Sequence, residues 1–449
     1  MTADGDRSNA GDGAAEGERA SRRQFFRVFG RQTVSSAGNV LAGVEALRRS
    51  SQEAIGDLVG GEEDPSRVRT PSDAPERSTP VAAHGATAYR SPYRFAGTTI
   101  EILDQTQLPA RAAVLECAAA SEVASAIRRG LVSGGPVLGQ LVAYTLAAVL
   151  ARNPERTAYA RQQALVGAAD TLRAARPTNR SLTVALERVL ARAAVAELAD
   201  PVSVPMAVLD EADRIAAEAA AEHARLGQLG AEAMRDAAQA AADQGRLMGV
   251  LMHGDQGPLT GGQIGPGVAV LQGLAGVGLP SHCWVTEGAP LLEGRRAAWQ
   301  LAQLEIAHTL VPDTALGWLL HHRRVDVVML RAEAVAGNGD VVAPLGSLVV
   351  ARMCRAAGIP VVASAPLTLF DPVMGTGAQV PTELRLPAPN PGAGPRIDPA
   401  LDVVPAELLD ALLTDEGPLT APLHVALHDA ASVRASRLGT AASGADVAG

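Results

Sequence analysis

Residues 252–267 read MHGDQGPLTGGQIGPG. A short apolar run, Leu247 to Leu251 with one Gly, leads into them, and a helix-like segment, Val268 to Leu274, follows. That order is a strand, a turn and a helix N-terminus, a place where backbone N–H groups can hold an anion. The turn has no Cys, Ser or Lys at its centre. It has Gly254 and Asp255, with His253 just before them. A further carboxylate, Glu333, closes another apolar run, VDVVMLRAE. Carboxylates and an imidazole at strand ends can pass a proton to or from a bound substrate. Each also has a plainer reading: His253 as a packed, hydrogen-bonded core residue, Glu333 as a solvated rim charge, and Asn338-Gly339-Asp340 as a turn signature.

The elements that must position these residues alternate in type. Runs rich in β-formers, LMGVLMH, HCWVTE, EIAHTLVP, VDVVMLRAE and IPVVASAP, are separated by the helical patterns GRRAAWQLAQ, TALGWLLHH and LGSLVVARMCRAAG. Alternation at this spacing predicts a parallel sheet covered by helices on both faces. Ligands of such sheets bind at the carboxyl ends of the strands. Those ends are His253–Asp255, Glu287, Pro312–Asp313, Arg331–Glu333 and Ala365–Pro366. Upstream, AASEVASAIRRGLV, GQLVAYTLAAVLAR, ARQQALVGAADTLRAA and SLTVALERVLARAAVAEL repeat apolar residues every three and four positions, and a long Ala-rich helix is expected from about Pro205 to Gln244. The fold class is therefore α/β, a helical N-terminal subdomain (96–245) followed by a Rossmann-like parallel-sheet domain (246–429). Residues 1–20 and 430–449 are read as disordered, and 61–95, rich in Pro, Ser, Glu and Asp, as a linker.

Composition narrows the function. The chain has 449 residues, 47% of them hydrophobic but only 3% aromatic, and a net charge of −9. A broad nucleic-acid-binding face is excluded by that charge and by the lack of a basic run. All 39 basic residues are Arg, so neither a Schiff-base lysine nor a phosphate-gripping lysine exists, and any phosphate must be held by Arg and backbone amides. Cys117, Cys283 and Cys354 lack metal-ligand spacing and sit in apolar contexts. No metal or cofactor is expected, and the cysteine usage suits a reducing cytoplasm. Residues 21–60 gather Phe25, Phe26 and Phe29 among Arg22, Arg23, Arg27 and Arg31. Their start looks like a twin-arginine export signal, but Arg31 and Gln32 interrupt the apolar region and no cleavage site follows. An amphipathic helix that docks on a protein partner or a membrane surface explains the same residues.

The order and spacing of several stretches resemble the methylthioribose-1-phosphate isomerases. That family shares its fold with ribose-1,5-bisphosphate isomerase and with the regulatory subunits of the exchange factor for translation initiation factor two. LPARAAVLECAAASEVASAIRRGLVSGGPVLG looks like the family's opening, which ends in V-R-G-A-P-A-I-G. RPTN looks like R-P-T-A-V-N, PLLEGRRAAWQL like P-L-L-Q-G-A-R-L-T-A-W-E-L, and GNGDVVAPLGSLVVA like A-N-G-D-V-A-N-K-I-G-T. APLTLFD, VPTELR and DPALDVVPAELLDALLTDEG follow in family order, so the resemblance runs from about Thr98 to about Pro418.

The resemblance implies a sugar-phosphate pocket, a homodimer through the sheet domain, and two catalytic groups. The family loop T-H-C-N-A-G-A-L reads MHGDQGPL here, which sets Gly254 where the resemblance puts a catalytic cysteine. The motif G-A-D-R-I reads RAEAV, with Glu333 at the catalytic aspartate. Ser133 stands for the arginine of V-R-G-A-P, Glu293 for the glutamine of L-L-Q-G, Ala343 and Pro344 for the Asn-Lys pair, and Ala289 for the arginine of D-E-T-R-P. Arg176, Glu287, Arg296, Asp313, Asn338, Gly339, Asp340 and the Gly134–Gly139 turn match the family. Gly134, Gly135, Arg176, Glu293, Asn338 and Asp340 are thus the candidate ligand-binding residues, for a small phosphorylated or polar ligand.

Three functions follow. The first is a family member that has lost aldose–ketose isomerisation and works as a ligand-binding, regulatory or scaffolding protein. The second is an active sugar-phosphate isomerase with altered chemistry, in which Glu333 is the base and Asp255 or His253 the acid. The third is a docking module that acts through residues 21–60.

Overall fold

The computed structural model describes residues 78–80, 92–152, 157–380 and 399–445. The Phe/Arg segment at 21–60, the first twenty residues and most of 61–95 lie outside them. The described chain opens with antiparallel strands, not helices. Strands β1 (Ser78–Pro80), β2 (Tyr93–Phe95), β3 (Ile100–Leu103) and β4 (Ala113–Cys117) form a sheet of order β1-β4-β3-β2. This corrects two expectations. The helical subdomain does not begin as helix at 96, and 61–95 is not linker throughout. IEIL in β3 is buried along its whole length, and Tyr93 is 1% exposed with its hydroxyl on Gln140 Oε1 at 3.2 Å. Strands of three to five residues carry too few alternations to stand out against Pro- and Ser-rich flanks.

Five helices follow: α1 (Ala120–Arg128), α2 (Gly135–Ala151), α3 (Ala158–Arg173), α4 (Arg180–Ala199) and α5 (Val204–Asp243). They fall where the three-and-four spacing puts them. Helix α2 is apolar on every side, as a helix wrapped by others must be, and Leu138, Leu141, Val142 and Leu146 are fully buried in it. Thr157 and Asn179 cap α3 and α4 by accepting from Ala160 N and Leu182 N. Helix α5, at 40 residues, is about 60 Å long. Its first half closes the helical layer and its second half lies on the sheet.

The sheet has seven strands in the order β15-β14-β11-β8-β5-β6-β7. Strands β5 (Met248–His253), β6 (Ser281–Thr286), β7 (His308–Val311), β8 (Val327–Arg331), β11 (Val361–Ser364) and β14 (Ala411–Thr414) run parallel, and β15 (Gly417–Thr420) pairs antiparallel at the edge. Helices α6 (Pro258–Gly261), α7 (Pro266–Gly276), α8 (Glu293–Gln303), α9 (Leu316–His321) and α10 (Ser347–Ala356) make the crossovers. One apolar core lies on each face of the sheet. The chain goes from β5 to β6 and β7 on one side, then returns to β8 on the other, so the winding reverses between β5 and β8. A crevice opens at such a switch point.

A smaller mixed sheet, order β12-β9-β10-β13, flanks this crevice: β9 (Ala334–Ala336), β10 (Val341–Pro344), β12 (Phe370–Asp371) and β13 (Leu401–Val404). The last helix, α11, spans Leu423–Ala445. It corrects the expectation of a frayed tail from 430. Leu423 and Leu427 are buried, Arg434 pairs with Asp415 and Glu222, and alanine is the best helix former, so an Ala- and Ser-rich stretch continues the helix once its start is anchored.

Candidate functional site

The ends of β5 and β8 meet at the switch point. Gly254 follows β5 with φ +80°, a conformation that L side chains rarely adopt. A Cβ there would lie 2.9 Å from Pro344 Cγ and 3.5 Å from Arg331 Nε. Arg331, the last residue of β8, therefore runs beside the turn. It is 4% exposed. Its Nη2 donates to Glu293 Oε2 at 3.0 Å, and its Nη1 sits 2.9 Å from Glu333 Oε1. Burial favours the neutral guanidine, but Glu333, Glu293 and Asp255 together hold the Arg331 pKa above its ordinary value. Arg296 on α8 extends the cluster: its Nη2 is 3.5 Å from Glu293 Oε1 and donates to Ser133 Oγ at 3.1 Å. The result is a buried network of Asp255, Glu293 and Glu333 around Arg296 and Arg331. Arg331 Nε and Arg296 Nε have no hydrogen-bond partner in it, and Arg331 Nη1 meets Glu333 as an ion pair without hydrogen-bond geometry.

Asp255 is fully buried. Gln300 Nε2 reaches both its oxygens at 2.8 and 2.9 Å, and Gly257 N donates to Oδ1 at 3.0 Å. Burial pushes its pKa up, and Arg296, 3.7 Å away, offsets this in part. A carboxylate so occupied holds the turn in shape. His253 is equally occupied: Nε2 lies 2.8 Å from Leu345 O and Nδ1 2.7 Å from Thr286 Oγ1. A carbonyl oxygen only accepts, so Nε2 carries a proton. Both ring nitrogens of His253 are thus engaged within the protein.

The N-terminal layer supplies the opposite wall. Gly134 caps α2 at φ +119°, and a Cβ on it would come within 2.5 Å of Thr260, so only glycine allows α2 to start this close to the β5 turn. A Cβ on Gly135 would lie 3.7 Å from Glu333 Oε2. Asn179 donates from Nδ2 to that oxygen at 3.5 Å while its Oδ1 caps α4. The structure thus brings Glu333, Glu293, Asp255, Gly134 and Gly135 together. Arg176 is half-buried three residues before Asn179. Asn338 and Asp340 are taken up elsewhere. They shape the β9–β10 hairpin, where Asn338 Oδ1 accepts from Asp340 N and the Asp340 carboxylate accepts from Gly377 N and Ala406 N. Asp313 fixes the loop after β6 by accepting from Gly288 N and Ala289 N, and Glu287 pairs with Arg295 at the surface.

Residues 131–421 match the Initiation factor 2 subunit family, more than half of the chain. The chain belongs to the initiation factor 2 subunit family. Among similar proteins, the methylthioribose-1-phosphate isomerase of Desulforudis audaxviator is 34% identical over 341 residues, 73% of this chain and 94% of that protein. The isomerase of that name from Chloroflexus aurantiacus is 32% identical over 343 residues, 74% and 96% of the two chains. Two solved structures share the fold: 5-methylthioribose 1-phosphate isomerase from Pyrococcus horikoshii OT3 (TM-score 0.65, 25% identity, covering 76% of this chain and 96% of that one) and the translation initiation factor eIF-2B, subunit delta, from A. fulgidus (TM-score 0.60, 26% identity, 75% and 99%).

Within the initiation factor 2 subunit family fold, the site also needs residues that the sequence marks weakly or not at all. Arg331 is marked only as part of the Arg331–Glu333 strand end, opposite the glycine of the G-A-D-R-I pattern. Gln105, Gln256 and Gln300 are fully buried amides. Gln105 accepts from Ser133 and donates to Leu259 O, and Gln256 joins Met329 O to Ser364 Oγ. A glutamine inside a helical or loop pattern reads as solvent-exposed, so no signal distinguishes Gln105 and Gln300, whereas Gln256 stands in the β5 turn itself. Among the described residues no group of His, Cys, Asp and Glu could hold a metal ion, and no helix is long and apolar enough to cross a membrane.

Proposed function

We propose that this member of the family does not interconvert aldose and ketose sugar phosphates, and that it acts as a ligand-binding, regulatory or scaffolding protein. The observation that carries this reading is the place of the Arg331 guanidinium. It lies beside Gly254 and between Glu293 and Glu333, where the isomerase resemblance puts a catalytic cysteine and aspartate. Moving a hydrogen between C1 and C2 of a sugar phosphate needs a group at each carbon that gives and takes a proton. Glycine at 254 can do neither, and Glu333 is engaged by Arg331 and Asn179. His253 and Asp255 have no free acid or base to offer, since each is held by its own partners. What remains for a ligand is a set of donors, Arg331 Nε and Arg296 Nε, suited to a small polar or anionic molecule.

The test is direct. Purified protein is assayed with methylthioribose 1-phosphate and with ribose 1,5-bisphosphate, and native protein is searched by mass spectrometry for a co-purifying small molecule. No turnover is expected with either sugar. Turnover that Glu333→Gln abolishes would overturn the proposal in favour of an isomerase with rebuilt chemistry.

A further inference from the structure

A second cavity lies on the far side of the α2 N-terminus. Gly135 faces Glu333, whereas Pro136 and Gly139 line a separate cleft between α2, α4, α5 and the loop after β11. Its volume is about 50 Å³, room for a few non-hydrogen atoms at ~10–15 Å³ for one water-sized probe. The walls are of two kinds. Val184, Ala185, Ile215 and Ala219 make an apolar side. Arg188, Glu218, Glu222, His223 and Thr368 make a polar one.

His223 gives the cavity its chemistry. It is 1% exposed, and Nδ1 lies 2.6 Å from Ile264 O. That oxygen only accepts, so Nδ1 carries the proton and Nε2 bears a lone pair. Nε2 is buried and has no hydrogen-bond partner. A buried acceptor left alone is unfavourable, so the site calls for a donor. The charges say which kind. Glu218 binds Arg188, with Oε2 at 2.5 Å from Nη1. Glu222 accepts from Thr368 Oγ1 at 2.9 Å and pairs with Arg434 of α11. Arg188 is shared with Glu211 and Arg434 with Asp415, so four carboxylates share these two guanidinium groups around the cavity. A phosphate or carboxylate ligand would be repelled, and a cation attracted.

From the lone pair of His223, the two carboxylates and the short apolar wall, we infer that this cavity binds a small primary ammonium ion with a carbon chain of two or three atoms. The ammonium donates to His223 Nε2 and to a Glu222 oxygen, since Arg188 takes both oxygens of Glu218, and the chain lies on Val184 and Ile215. This site is independent of the Arg331 cluster and of the function proposed for it.

The probe is n-propylammonium chloride, titrated calorimetrically into the full chain at constant ionic strength and at pH 8, where Glu222, raised to about 7 by burial, is ionised, with n-propanol as the neutral donor of the same shape. The expected result is saturable binding of propylammonium, at least about ten-fold tighter than propanol, the scale of one charge-assisted hydrogen bond. Glu222→Gln and His223→Phe should each weaken it about ten-fold or more. Because His223→Phe could unfold the protein, a second readout uses the unaltered chain: the ¹⁵N resonance of His223 Nε2 should shift with propylammonium and saturate at the calorimetric midpoint. Three results overturn the inference: no heat and no shift at about 10 mM ligand, equal binding of propanol, or binding that Glu222→Gln leaves unchanged.

Discussion

Arg331→Met removes the one guanidinium that Glu293 and Glu333 share. Methionine keeps most of the side-chain length and no charge. Glu293 then retains Arg296 Nη2 at 3.5 Å, and Glu333 retains only the 3.5 Å contact from Asn179. Both carboxylates stay at or below 5% exposed, so water cannot replace what is lost. Breaking a buried pair by deleting one partner costs about 3–5 kcal/mol, and here one deletion breaks two contacts, which places the loss at the upper end. For a domain of this size about 2–4 °C is lost per kcal/mol, so the melting temperature at pH 7.5 should fall by roughly 10 °C or more. One internal check follows from the mechanism. The triple variant with Glu293→Gln and Glu333→Gln should recover most of the loss, since neutral amides need no counter-charge. Circular dichroism melts and urea titrations of the three proteins measure it. A loss below about 1 kcal/mol for Arg331→Met, or a triple variant weaker than the single, would show that the cluster is not a closed ionic network, and the reading of the site would fall with it.

Gly254→Ala should destabilise by about 1–3 kcal/mol through its positive φ and through the 2.9 Å approach to Pro344 Cγ. Pro344→Ala should relieve part of the cost, read as a coupling in a double-mutant cycle of melting temperatures. A chain that begins at Ala96 loses β2 and the buried Tyr93, worth about 3–5 kcal/mol by analogy with large core deletions. A chain that begins at Thr70 keeps β1 and β2 and should unfold like the full protein in urea. The pH dependence has two opposed parts. Burial, only partly offset by Arg434, raises Glu222 to about 7, so the native state holds its proton longer than the unfolded chain, and this part adds stability as pH falls from 7 towards 4.5. Burial lowers His223 to about 4, so the unfolded chain takes the proton first and stability is lost as pH falls from 6.5 towards 4. Each is worth about 3 kcal/mol at full extent. Glu222→Gln should therefore steepen the acid loss between pH 6.5 and 4, whereas His223→Gln should turn it into a gain between pH 7 and 5. Parallel slopes in both variants would refute the assignment.

Much of this was legible from residue order. The strands of the large sheet sit where β-rich runs alternate with helical ones, and their carboxyl ends fall at His253, Thr286, Val311, Arg331 and Ser364, because a buried parallel strand writes itself as a continuous apolar run. That Asp255 and Glu333 both stand at carboxyl ends of sheet strands followed from the alternating pattern. The small sheets did not show, since β9, β10 and β12 have two to four residues each and depend on partners far along the chain. Nor did the engagement of the candidate acids. His253 and Asp255 are read as reactive from residue type, but their partners, Thr286, Leu345 O, Gln300 and Arg296, come from other elements, and only tertiary packing decides that both groups are already spoken for. The C-terminal helix was hidden by composition: Ala and Ser look like a tail until Leu423, Leu427 and Arg434 are seen to be anchored.

Arg434 binds Glu222, 212 positions earlier in the chain, and Asp415, which in turn accepts from Leu367 N at 2.7 Å. A ribosome makes these groups in a fixed order. Glu222 and Asp415 are both synthesised before the cation that pairs with them, so a nascent chain carries both acids without it until residue 434 has emerged. The layer around α5 can collapse early on its apolar contacts, but its wall facing Thr368 cannot settle until then. Settling of this corner should therefore wait for residue 434, and a chain stalled between 415 and 434 should be open and protease-sensitive there.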